Sequence, residues 1–101
     1  MASELLHFRS GTATMAHRFK VLAVLVKLDG ARATRRLVQG LAFTDKYGAD
    51  LTATALHQLR ADGMAEFEGS GLGRRWWVTD AGRAHHAQVV EATAGSFGAG
   101  A

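Results

Sequence analysis

The run from Asp50 to Ala84, DLTATALHQLRADGMAEFEGSGLGRRWWVTDAGRA, leaves few folds open. Thr52, Ala55, Leu56 and Leu59 fall on one face of a 3.6-residue repeat, so this part reads as an amphipathic helix. Asp50 is placed to cap it, because a carboxylate accepts from the free N–H groups of a first turn. Gly63 is placed to end it, because glycine takes the left-handed C′ conformation at little cost. Met64 to Glu68 predicts a short strand. Arg75 to Thr79, rich in Trp and Val, predicts a second. Between them Gly69, Ser70, Gly71, Leu72 and Gly73 predict a loose tip. Thr79 and Asp80 predict the start of another helix.

Helix, hairpin with a basic tip, then helix is the second half of a winged helix–turn–helix. LHQLRADGM followed by RRWWVTDAGR resembles the recognition helix and wing of the PadR-like transcriptional regulators, with the MarR-like regulators close behind. The shared pattern is two leucines three apart, an acidic residue and Gly closing the helix, and a basic tip. An aromatic–x–aliphatic strand and Thr–acidic–Ala–Gly–Arg complete it. It covers about a third of the chain well and most of the rest loosely. The resemblance implies an α+β fold, mostly α, in which N-terminal and C-terminal helices make a dimer.

Composition limits the alternatives. A chain of 101 residues is one small domain, and its apolar fraction of 48% is inflated by alanine. A core of that size often needs a partner chain. Without cysteine there is no disulfide framework and no thiolate metal site. No apolar run reaches the ~18–20 residues that span a bilayer, and the first residues do not read as a signal peptide. The expectation is a cytoplasmic protein with no membrane partner. A net charge of +3 is compatible with nucleic acid without demanding it.

Residues 1–13 read as an N-terminal arm, 14–94 as the domain with its C-terminal helix, and 95–101 as a disordered Gly/Ala tail. Thr14 to Leu28 predicts a helix with two neighbouring stripes. Met15, Phe19, Leu22 and Val26 make one; Val21, Val24, Leu25 and Leu28 make the other. So wide an apolar surface fits either a fully wrapped core helix or a subunit interface. The interface reading takes Val21, Val24, Leu25 and Leu28, joined by Val90 of the C-terminal helix. Asp29-Gly30 is a stop signal. Ala31 to Ala33 predicts a short strand against the wing. Thr34 caps a helix running to about Tyr47, with Leu37, Val38 and Leu41 inward and Gly40 placed for close approach of another helix. Gly48 to Asp50 predicts the turn of the helix–turn–helix. In the last helix Ala84, Ala87, Val90 and Ala94 make a thin stripe that must pack on something.

Catalysis finds no support: no paired acidic site at suggestive spacing and no phosphate-loop motif. GSGLGRR is followed by a strand, whereas a phosphate loop needs a helix there. The chain therefore does not read as an enzyme, and no cofactor is implied. His85 and His86 point about 100° apart on a helix, so they do not form the i, i+4 pair that one metal prefers. A site bridging subunits through His7 or His17 stays open, but surface histidines are the simpler reading and no metal is assigned.

Double-stranded DNA has the better case as a partner. A recognition helix presents base-reading side chains from its N-terminal part. The outward set is Ala53, Thr54, His57 and Gln58, of which the last three can bond bases or phosphates. Arg35, Arg36 and Lys46, on or beside the preceding helix, are placed to hold phosphates. Arg74 and Arg75 sit at the tip, suited to a narrow, electronegative minor groove. Alternation puts Trp76 with Val78 in the core and Trp77 outside. The expected function is a homodimeric DNA-binding transcriptional regulator, a repressor, on an inverted-repeat operator, with a small-molecule effector left open. The alternative is a winged-helix protein–protein module without DNA binding, since the recognition helix carries only Arg60 against Asp50 and Asp62.

Overall fold

The computed structural model describes residues 15–43 and 48–100. In chain order they form α1 (Met15–Lys27), α2 (Arg35–Ala42), α3 (Gly48–Ala61), β1 (Ala65–Glu68), β2 (Arg75–Val78) and α4 (Asp80–Gly100). The fold is mostly helical, with one small antiparallel sheet of two strands. No helix among the described residues is long and apolar enough to cross a membrane. The expected arm, residues 1–13, lies outside the described residues.

Helix α1 is the centre of the core. It packs on α2, α3, α4 and β2, and Val21, Leu22, Val24 and Leu25 are buried. Its second stripe is therefore covered, fully or in part, by the chain itself. This corrects the interface expectation: Val21, Val24 and Leu25 are at most 8% exposed within one chain, and Leu28 packs against the same core. Of the first stripe, Met15 stays 78% exposed.

Thr34 caps α2 as expected, its hydroxyl accepting from the Leu37 N–H at 3.1 Å. The helix is shorter than the periodicity predicts. It ends at Ala42, where Phe43 is extended. Val38 and Ala42, four apart on one face, take the buried row. Leu37 and Leu41 lie one position back, about 100° round the axis, and are exposed rather than inward. Gly40 has nothing within 4 Å of where a Cβ would stand among the described residues, so no described helix approaches it closely.

Helix α3 starts at Gly48, earlier than expected, so residues 48–50 are helical rather than a turn. Asp50 sits inside the first turn instead of capping it, where its charge still complements the helix dipole. The predicted inner face holds: Thr52, Ala55, Leu56 and Leu59 are all buried. At the other end Gly63 has φ 78°. Its N–H donates to the Arg60 carbonyl at 3.0 Å and that of Met64 to Leu59 at 2.8 Å, the paired closure of a Schellman motif.

The strands pair Ala65 with Val78 and Phe67 with Trp76. Ala33 adds an isolated bridge: its N–H donates to the Trp76 carbonyl at 3.0 Å and it accepts back at 2.8 Å. The predicted short strand is thus a single bridged residue. Trp76 and Val78 point into the core and Trp77 does not. The tip is not loose. Gly71–Gly73 forms a 3₁₀ turn, with the Gly73 N–H on the Ser70 carbonyl at 3.0 Å and the Arg74 N–H on the Gly71 carbonyl at 3.2 Å.

Thr79 caps α4: its hydroxyl accepts from the Gly82 N–H at 3.1 Å and donates to the Gly63 carbonyl at 2.6 Å. The helix runs on to Gly100, past the Ala94 end that the composition suggests. Its covered side carries Gly82, Arg83, His85, His86 and Val89, whereas Ala84, Ala87, Val90 and Ala94 all face outward uncovered.

Candidate functional site

The base of the hairpin meets the exposed side of α3, and aromatic rings make the joint. His57 stands edge-on to Trp76, centroids 5.1 Å apart, and edge-on to Phe67 at 6.2 Å. Phe67 tilts against Trp76 at 4.8 Å. The guanidinium of Arg74 lies 4.3 Å from the Phe67 centroid and that of Arg60 lies 4.6 Å from it. Phe67 thus connects the first arginine after the tip to the outward row of α3. Strand alternation places it there, since Phe67 shares the Trp76 face of the sheet.

Charge is sorted at this joint. Arg60 Nε donates to Glu66 at 2.7 Å, and Arg32 Nε donates to Glu68 at 3.3 Å while its guanidinium stacks 3.6 Å over the Trp77 ring. The Arg60 hydrogen bond, followed by the backbone N–H of Phe67, holds the Glu66 carboxyl below its ordinary value. Both hairpin carboxylates are therefore engaged by arginines rooted outside the tip. Arg74 and Arg75 take part in none of the ion pairs among the described residues, nor do Arg35 and Arg36. Exposed pairs of this kind add little stability, so their main effect is on the local field.

The two tip arginines differ. Arg74 is stacked on Phe67, and its Nε is buried with no hydrogen-bond partner. Arg75 turns back, one terminal nitrogen donating to the carbonyls of Leu72 and Arg74, each at 3.4 Å. On α3, Thr54 and Gln58 are half-buried and His57 is exposed. The Gln58 Oε1 is also buried without a partner. Arg35 and Arg36 open α2, whose first turn has no acidic residue. Cations there oppose the helix dipole, and an anion would relieve that.

The structure therefore joins His57 and Arg74 through Phe67, and leaves Arg35 and Arg36 exposed on a separate element. Lys46 lies outside the described residues. Sequence reasoning misses Phe67, Arg60 and Arg32 as members of the site. Their signal is the Glu66/Glu68 spacing, which puts two carboxylates on one strand within reach of flanking arginines.

A second feature is an apolar groove of about 440 Å³ between α1 and α4, floored by Phe19, Leu22, Leu59 and Met64 and edged by His85 and Val89. His86 stacks on Phe19 at 5.1 Å. Among the described residues, no group of three or more His, Cys, Asp or Glu side chains could hold a metal ion. Compared with protein-family models, curated proteins and solved structures, the chain matches none of them.

Proposed function

We propose that this chain is a winged helix–turn–helix regulator of transcription that binds double-stranded DNA as a homodimer, acting in the cytoplasm as a repressor. In this reading α2 and α3 are the helix–turn–helix and the β1–β2 hairpin is the wing. The carrying observation is the charge sorting at the joint: both hairpin carboxylates are occupied, while Arg74, Arg75, Arg35 and Arg36 have no acidic partner among the described residues. Arginines left without an acidic partner on two elements that flank the outward row of α3 suit a phosphate backbone. Thr54, His57 and Gln58 then face base edges.

The wing and α3 should fail differently. Arg74→Ala, or Arg35→Ala with Arg36→Ala, weakens binding to every duplex and lowers the salt slope by ~0.9 for each phosphate that is no longer neutralised. Thr54→Ala or Gln58→Ala costs ~1–3 kcal/mol on a selected duplex and almost nothing on a scrambled one. Fluorescence anisotropy over a salt series reads both. If all these variants bind every duplex as the wild type does, the DNA reading is abandoned. The protein–protein module then takes its place, favoured by one fact: the only cation on α3, Arg60, is already spent on Glu66.

The dimer rests on α4. Its Ala84–Ala87–Val90–Ala94 row is uncovered, with Val90 47% exposed, while its other side packs on α1. Two copies joined there would set two α3 helices about 34 Å apart, on an inverted repeat. Val90→Asp should give a folded monomer by sedimentation, because the residue is outside the single-chain core. A wild type that sediments only as the ~10.8 kDa species at micromolar concentration would count against the dimer. The groove between α1 and α4 is where an apolar effector would sit, its volume falling in the range of small-molecule sites.

A further inference from the structure

The wing tip carries an exposed apolar side chain that phosphate binding does not use. Leu72 is 98% exposed, the middle residue of the Gly71–Gly73 turn. Its neighbours have no side chains to cover it. The turn beneath it is closed by the hydrogen bonds of Gly73 and Arg74, and by Arg75 donating to the carbonyl of Leu72 itself. Gly69, at φ 81°, lies so near the Gly73 carbonyl that a Cβ would stand 2.8 Å from its oxygen. Leu72 is thus presented on a fixed support rather than on a loose loop, with two cations immediately behind it. An apolar side chain held forward of arginines matches the wedges that enter a minor groove, part base steps and kink the duplex.

We propose that Leu72 is an intercalating wedge that unstacks a base step in the minor groove, with Arg74 and Arg75 drawing the flanking phosphates to it. This rests on the DNA-binding reading above. The wedge makes recognition depend on deformability, favouring flexible pyrimidine–purine steps at positions that no side chain hydrogen-bonds.

The test uses a duplex selected by the full-length protein from a random pool. Each adenine is replaced in turn by 2-aminopurine, and dyes at the ends report bending. The wild type should brighten 2-aminopurine at one step on each side of the centre and bend the duplex by roughly 20–90°. Leu72→Ala should bind with no local brightening and a straighter duplex. Leu72→Phe should restore both, and neither substitution should change the melting temperature, since Leu72 touches no core. A wild-type complex without brightening, or a Leu72→Ala complex that brightens equally, overturns the wedge and leaves DNA binding standing. No complex with any duplex overturns the DNA reading itself. Binding instead to anionic lipid vesicles, lost in Leu72→Ala, would assign the tip to a membrane surface and overturn the wedge.

Discussion

Trp76→Ala should lower the melting temperature by more than about 12 °C. Removing a buried Trp costs ~3–5 kcal/mol, and each kcal/mol moves the midpoint of so small a domain by ~4–8 °C. A total stability of ~5–15 kcal/mol leaves little after such a loss. Trp76 is 2% exposed and ties three parts of the chain together. Its backbone holds Ala33 and its strand pairs with β1, while its ring supports both Phe67 and His57. The damage should therefore reach the candidate site, since Arg74 rests on Phe67. Trp76→Phe keeps an aromatic surface and should lose clearly less. Thermal denaturation followed by circular dichroism separates the two. If Trp76→Ala melts with the wild type, Trp76 does not hold α3 and the hairpin together.

The positions that can be read from sequence are those decided by local rules. Thr34 and Gly63 serve as a cap and a left-handed terminus, and both act through neighbours within a few residues. The inner face of α3 follows from its period, and the placing of Trp76 from strand alternation. What escapes depends on which neighbour happens to be present. The double stripe of α1 is equally consistent with a covered core and with an interface; only the packing of α2, α3, α4 and β2 around it decides for Val21, Val24 and Leu25. Leu37 and Leu41 share an apolar face with Val38 by period, and which edge of that face turns inward depends on how α2 sits against α1 and α3. The tip reads as loose because glycine usually implies freedom, yet here the same glycines permit a closed 3₁₀ turn. The site divides likewise. Its arginines are visible in the sequence, but their inequality is not, because it depends on Phe67 under Arg74 and on the Arg60–Glu66 and Arg32–Glu68 pairs.

Two glycine-to-alanine substitutions in helices should move stability in opposite directions, although the intrinsic helix preference is the same in both. Gly40→Ala should raise the melting temperature by ~4–8 °C, because Ala is better than Gly in a helix by ~1 kcal/mol and nothing among the described residues stands near the new methyl. Gly82→Ala gains the same ~1 kcal/mol and then meets an obstacle. Its Cβ would fall on the carbonyl group of Met64 and 2.8 Å from Cγ2 of Val78. That carbonyl cannot simply turn away, since it accepts from the Thr79 N–H at 3.1 Å, and Met64 is itself the last residue of the α3 closure. Relief therefore requires α4 to lift off the hairpin. That breaks the Thr79 cap, whose hydroxyl ties Gly82 to the Gly63 carbonyl. Overpacking costs ~1–3 kcal/mol where side chains can give, and a backbone obstacle belongs at or above the upper end. The net change should be a loss of at least ~2 kcal/mol. In the proposed dimer the lifted helix would also turn its Ala84–Ala87–Val90–Ala94 row away from the partner, so Gly82→Ala should sediment as a smaller species than Gly40→Ala at the same concentration. Melting and sedimentation of the two proteins, side by side, provide the check. If Gly82→Ala is stabilised as Gly40→Ala is, the first turn of α4 does not dock on the Met64 backbone.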